Sequence, residues 1–246
     1  MPKEQVMVNF RPKEVAWIGD EQVKGETNGV VVVFHGLGAT EMKQEPTPAE
    51  EPWAAAGALL VYPYYGPWSW MNREARAMVD ALIGEVYHEY RLNPQRIPLL
   101  LTGGSMGGGS ALLYARYSAH PLAACFANCP VCDLPYHFTE RPDLPRTMYH
   151  AFGAYGGDMH ALLVEHSPLH QADHLPDIDY LIVHGDADPA VKKAAHSDRL
   201  VQAMRARGLR VDYQEIPGMG HCGPLPEETT AVINAHVLRA LRRTQE

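Results

Sequence analysis

The sequence lacks any apolar run approaching the roughly 20 residues that span a bilayer, so no transmembrane helix is expected within its 246 residues. It also lacks the continuous apolar core of a secretory leader, since the opening "MPKEQVMVNFRPKE" alternates charge with short apolar pairs. A cytoplasmic location is the expectation. Lysine and arginine are outnumbered, giving a formal net charge of -8, whereas a phosphate-backbone partner requires clustered cations. Only the terminal "LRRTQE" gathers arginines, and it reads as a solvated helix end. Neither nucleic acid nor a membrane is expected as a partner. Internal repeats and low-complexity stretches are missing as well.

Cysteine is scarce: Cys125, Cys129, Cys132 and Cys222. The first three lie close together, but zinc needs a fourth ligand of matching geometry, and Cys125 sits inside the apolar run "LAACFANCP". They are expected to pack as buried free thiols, with no metal and no cofactor. Thirteen histidines are scattered along the chain, and of these His221 stands in the most telling context.

What is present is an ordinary globular composition, 46% hydrophobic and 20% charged, in a chain long enough for one large core. A single α/β domain over residues 1–246 is expected. Short apolar runs alternate with helical patterns, the signature of a mostly parallel sheet with helices on both faces. "GVVVVFHG", "GALLVYPYYG", "RIPLLLTGG", "LAACFANCP", "IDYLIVHGD" and "LRVDYQEIPG" read as strands. "MNREARAMVDALIGEVYHEYRLNP" carries apolar residues at three- and four-residue steps from Met71 to Tyr90, a helix stopped by Asn93 and Pro94. "SMGGGSALLYARYSA", "AAHSDRLVQAMRARG" and "EETTAVINAHVLRALRR" are the other helices. Residues 133–176 are rich in proline and aromatics and weakly periodic. They read as short helices and loops forming a small lid-like insertion above the sheet.

"LTGGSMGGGS" holds five glycines around Ser105. It has no G-x-x-x-x-G-K-[ST] and no lysine, which argues against a phosphate cradle. A serine between a strand and a helix, with Gly103 and Gly107 at the G-x-S-x-G positions, suits a nucleophile elbow. Flanking side chains would collide with the neighbouring strand and helix, which accounts for the glycines. A flexible turn with an idle serine stays open on this motif alone. A serine hydroxyl needs a base and a group orienting that base. "HGDADPAV" offers Asp186 and Asp188, "PGMGHCG" offers His221, and both follow predicted strands, where ligands bind in open α/β sheets. The N–H of Met106 and, from "FHGLGAT", that of Leu37 are the expected oxyanion donors, with His35 bracing that loop beside the substrate. Among the aromatics of "YPYYGPWSW", Tyr65, Trp68 and Trp70 are candidates to line a substrate groove, with Tyr136 approaching from the insertion.

Taken together, "NPQRIPLLLTGGSMGG" and "HSPLHQADHLPDIDYLIVHGDADPAV" resemble the α/β-hydrolase superfamily, and more closely the catalytic domain of the prolyl oligopeptidase family and its stand-alone esterase relatives. The resemblance spans about residues 29 to 240 and implies an α/β-hydrolase fold. Its H-G-x-x-D-x-x-V pattern places the acid on Asp188, with Val191 in register, and its G-x-G-H places the base on His221. Little chain precedes the first predicted strand, where the oligopeptidases carry a large propeller. The expectation is therefore a serine carboxylesterase acting on small or medium acyl esters, with aryl and sugar esters as candidate classes. A peptidase or amidase is the second reading, and a catalytically silent binding protein on a hydrolase scaffold the third. The expected partner is a small-molecule ester, with assembly as a homodimer left open.

Overall fold

The computed structural model describes residues 10–242. Residues 1–9 and the basic end after Arg242 lie outside the described residues, so the reading of "LRRTQE" as a solvated terminus falls largely outside them.

The elements are α1 (Pro12–Val15), β1 (Ala16–Ile18), β2 (Gly29–Phe34), α2 (Glu51–Ala55), β3 (Ala58–Pro63), α3 (Arg73–Glu89), β4 (Leu99–Gly104), α4 (Met106–Tyr117) and β5 (Ala124–Asn128). They continue with α5 (Leu134–Glu140), α6 (Leu144–Phe152), α7 (Met159–Glu165), β6 (Asp179–Gly185), α8 (Ser197–Ala206), β7 (Val211–Ile216) and α9 (Glu227–Arg242). The sheet runs β1-β3-β2-β4-β5-β6-β7. Every neighbouring pair is parallel except β1 with β3. This is the α/β-hydrolase architecture.

Side chains of successive strand residues point to opposite faces, and each face has its own core. Val30, Val32, Leu99 and Leu101 pack with α3, α4 and α8, while Val31 and Leu100 pack with Trp53 of α2 and Ile233 of α9. Burial on both faces is why these strands read as continuous runs rather than alternating ones. Each fully buried valine of β2 contributes about 1.5–3 kcal/mol by leaving water.

Two boundaries differ from the sequence reading. The sheet begins at Ala16, before the first expected strand, because a three-residue antiparallel edge such as β1 is too short to show periodicity. The long helix runs only from Arg73 to Glu89. Asn72 caps its start by accepting the Ala75 N–H (2.9 Å), and Arg91, at φ 53°, ends it before Asn93 and Pro94 are reached.

Between β5 and β6 the chain forms α5, α6 and α7, which are fastened to the body. Trp70 donates its indole N–H to Thr147 Oγ1 (3.0 Å), and Arg73 holds Glu165 through two hydrogen bonds. Glu140 Oε2 accepts from His137 Nδ1 (2.6 Å) and His196 Nε2 (3.1 Å), while its other oxygen accepts the Lys192 N–H (3.0 Å). His196 Nδ1 itself accepts the N–H groups of Cys132 and Asp133. Its proton must therefore lie on Nε2, directed at Glu140, which makes His137, Glu140 and His196 a hydrogen-bond network with no imidazole lone pair of His196 left for a metal.

Burial pushes the Glu140 carboxyl up, but hydrogen bonds from His137, His196 and Lys192 outweigh it and hold the pKa well below the ordinary glutamate value. A depressed folded-state pKa gives stability that is present above the unfolded value, near pH 4.5, and is lost as the pH falls below it. Glu140→Gln is accordingly expected to lower the unfolding free energy at pH 7 by about 2 kcal/mol. The deficit should shrink in acid. Thermal unfolding of both proteins from pH 7 down to about pH 3, well into the range below 4.5 where the contribution is lost, checks this, and a deficit that does not depend on pH would contradict it.

Candidate active site

The order of the central strands changes direction at β2 and β4, which lie side by side with Phe34 opposite Gly103. Such a switch point leaves a crevice at the C-terminal strand ends, and Ser105 sits there, on the turn from β4 into α4. Its backbone is at φ 57° and ψ -124°, a conformation that non-glycine residues rarely adopt. The turn is held by hydrogen bonds: Ser105 N–H donates to Asn128 O (2.9 Å), and Ser105 O accepts from Gly109 and Val131 N–H (3.1 Å each).

The glycines follow from this crowding. A Cβ on Gly103 would lie 2.5 Å from the Gly107 carbonyl carbon, and one on Gly107 would lie 2.2 Å from Phe34 O. Gly109, to which the motif assigns nothing, proves equally constrained, because a Cβ there would come 2.3 Å from Val131 O.

Three side chains distant in sequence meet at this turn. His221, in the loop after β7, places Nε2 2.8 Å from Ser105 Oγ and Nδ1 2.7 Å from Asp188 Oδ2, in the loop after β6. A carboxylate only accepts, so Nδ1 carries the proton and Nε2 is free to accept from the serine hydroxyl. Asp188 Oδ1 accepts the N–H groups of Ala190 and Val191 (2.9 Å each). The Asp188 side chain is 0% exposed. Burial alone would raise its pKa, yet hydrogen bonds from His184, His221 and those two amides hold it far below the carboxylate range. The hydrogen bond to Asp188 raises the His221 pKa against an opposing desolvation.

Sequence reasoning missed His184, although it opens the same "HGDADPAV" stretch. It is fully buried. Its Nε2 lies 3.0 Å from Val191 O and 3.3 Å from Asp188 Oδ2, and its Nδ1 lies 2.6 Å from Ser197 Oγ. Since Val191 O can only accept, Nε2 bears the proton and shares it with Asp188. Asp186 has a separate task, accepting the Gly218 N–H (2.6 Å) and so tethering the loop that carries His221.

The loop after β2 lies beside the elbow: a Cβ on Gly36 would face Gly104 O at 3.9 Å. Gly38, at φ 85°, donates its N–H to Pro67 O (2.7 Å), which fixes the stretch containing Leu37. Met106 is the first residue of α4, where a helix N–H has no intrahelical acceptor. His35 stacks on Tyr65 with ring centroids 4.0 Å apart, and Tyr65 donates its hydroxyl to His35 O (2.9 Å). Burial lowers the His35 pKa.

The aromatics separate by location. Trp70 and Tyr65 are 4% and 7% exposed: the first is packed beneath the insertion against His137, the second braces His35. The Tyr65 ring also reaches the wall of a cavity that it shares with Trp68. Half-buried Trp68 borders a cavity of about 330 Å³ with Tyr64 and His150. Tyr136 stands edge-on to His196, with the Lys192 ammonium 3.5 Å from its hydroxyl. Another cavity, of about 240 Å³, borders the turn at Ser105 through Gly104 and Cys222 and is walled by Phe34, Trp53, Phe126 and Leu225.

Residues 81–239 match the model of the prolyl oligopeptidase family. The chain belongs to that family. A curated relative, dipeptidyl aminopeptidase BIII of Pseudoxanthomonas mexicana, is 27% identical to this prolyl oligopeptidase family member over 171 residues, 68% of this chain and 24% of that protein. The chain thus spans about a quarter of that relative's length. Among solved structures, a puromycin-hydrolysing peptidase of Mycobacterium tuberculosis superposes with a TM-score of 0.71 at 20% identity, covering 90% of this chain and 35% of that one. A lipase in its open form superposes with a TM-score of 0.67 at 14% identity, covering 93% and 94%. These likenesses carry the fold, and the family match carries membership of the prolyl oligopeptidase family. No helix among the described residues is long and apolar enough to cross a membrane.

Proposed function

We propose that this family member is a serine carboxylesterase that cleaves small or medium acyl esters through an acyl-serine intermediate. The observation that carries the reading is the continuous hydrogen-bond chain from Ser105 Oγ to His221 (2.8 Å) and on to Asp188 (2.7 Å). Ser105 Oγ attacks the ester carbonyl while His221 Nε2 takes its proton, and Asp188 stabilises the imidazolium so formed. The oxyanion is held by the N–H groups of Leu37 and Met106, each such donor being worth about a hundredfold to a thousandfold in rate. Collapse expels the alcohol with the proton from His221. Water then repeats the sequence on the acyl-enzyme.

Hydrolysis of p-nitrophenyl esters across a range of acyl lengths tests this, and no turnover on any of them would sink it. The match to the lipase along nearly its whole length supports an ester substrate. A peptidase or amidase is the second reading, favoured by the likeness to a dipeptidyl aminopeptidase and a puromycin-hydrolysing peptidase. Aminoacyl and dipeptidyl anilides assayed beside the esters separate the two.

A further inference from the structure

Cys125, Cys129 and Cys132 are buried free thiols, as expected, whereas Cys222 is exposed. Cys125 and Cys132 are fully buried, and burial pushes both thiols up in pKa. Cys129 and Cys222, 93 residues apart in sequence, meet beside His221. The Cys222 N–H points at Cys129 Sγ (3.4 Å), and both sulfurs and a ring nitrogen of His221 lie within 4.8 Å of one another. We propose that Cys129 and Cys222 are a thiol-modification site that takes a low-molecular-weight disulfide such as oxidised glutathione, closes to an intramolecular disulfide and draws His221 off Ser105. The last part rests on the reading of Ser105 and His221 as the reacting pair.

The two thiols are unequal in a way that suits exchange. Cys129 is 0% exposed and is anchored at the end of β5 by its N–H to Val183 O (2.7 Å). Cys222 is exposed, and its sulfur lies over Gly104, where a Cβ would come within 3.3 Å of it. It opens on the 240 Å³ cavity, which gives a small disulfide access. The Cys222 thiol donates toward Cys129, and with the N–H groups of Gly185 and Cys222 it lowers the Cys129 pKa against the effect of burial. The same contact raises that of Cys222. The pair therefore shares a proton and ionises as a unit.

In the first step the pair loses a proton, the remaining proton passes from Cys222 to Cys129 across the contact between them, and the exposed Cys222 sulfur attacks the external disulfide, forming a mixed disulfide and expelling one small thiolate. Cys129 then gives up its proton and attacks Cys222 sulfur, expelling the second. Two protein thiols are oxidised and one external disulfide is reduced to two thiols, which take up the two protons.

Closure has a geometric consequence. Sulfurs that lie within 4.8 Å must approach to about 2 Å, and with Cys129 anchored the movement falls on Cys222. Cys222 is joined directly to His221, and its own φ of 47° marks a turn held by contacts rather than by backbone preference. His221 is 26% exposed at its side chain and has room to follow. A displacement of about 1 Å at a reacting pair costs about a hundredfold in rate.

The test is to incubate the full chain with oxidised glutathione and to follow intact mass, non-reduced peptides and ester hydrolysis. The expected result is a loss of about 2 Da with no retained glutathione, a peptide linking Cys129 to Cys222, and hydrolysis reduced by about tenfold or more. Dithiothreitol should restore the activity, and Cys222→Ser, a change at an exposed position, should leave the enzyme insensitive. A persistent glutathione adduct on Cys222, an unmodified protein, or a linked protein of undiminished activity would each overturn the proposal. The peptide map decides the disulfide on the unaltered sequence whether or not the variant folds. If the reduced protein hydrolyses no ester, the functional reading fails while the mass measurement still answers for the thiols.

Discussion

Ser105→Ala is expected to lower kcat for p-nitrophenyl esters by about a millionfold, because removing the nucleophile of a serine–histidine pair costs about as much as removing the whole triad. A residual rate of about a thousandfold over water should persist, carried by the oxyanion donors and binding alone. Ser105 is a cap residue whose side chain accepts no hydrogen bond from α4, so the variant should fold normally. Labelling by a fluorophosphonate probe provides an independent measurement: the unaltered chain should be modified at Ser105 and the variant not at all. Retained labelling or retained turnover in Ser105→Ala would remove Ser105 from the mechanism, and an unaltered chain that neither labels nor turns over would point to a silent scaffold.

Asp188→Asn should reduce kcat/KM by about ten thousandfold, since an amide in place of the carboxylate allows the imidazole to settle in the wrong tautomer. The pH profile distinguishes this from a loss of packing. His221 acts as base only when neutral, so activity in the unaltered chain rises with pH through its pKa, which lies above 6.5 because the hydrogen bond to Asp188 favours the charged ring. With that support removed, the His221 pKa falls, and the rising limb of the residual activity is expected to move to lower pH. A limb that stays in place would mean that Asp188 does not set the ionisation of His221.

Much of this site could be read from the linear chain, for identifiable reasons. A strand turning abruptly into a helix leaves space for nothing larger than hydrogen at Gly103 and Gly107, so the turn around Ser105 had to be written in glycine. Strands buried on both faces require continuous β-branched and leucine-rich runs. Those runs locate the C-terminal ends after which Asp188 and His221 stand. The aromatics were less legible, because a tryptophan serves equally well in a groove and in a core. Trp70 is 4% exposed, a matter settled by where α6 lays Thr147 against it.

The local sequence by itself therefore determined the order of the elements, the glycine-lined turn at Ser105, and the side chains carried at each strand end, since each depends on hydrophobic period and backbone sterics over a few residues. Only the tertiary structure decided distances between strand ends. It brought His221 to 2.8 Å from Ser105, placed His184 behind Asp188, seated Gly109 against Val131 and set Cys222 beside Cys129. The physical reason is the same in each case: strand order and the loops crossing the sheet edge, not spacing along the chain, fix which of these residues share a volume.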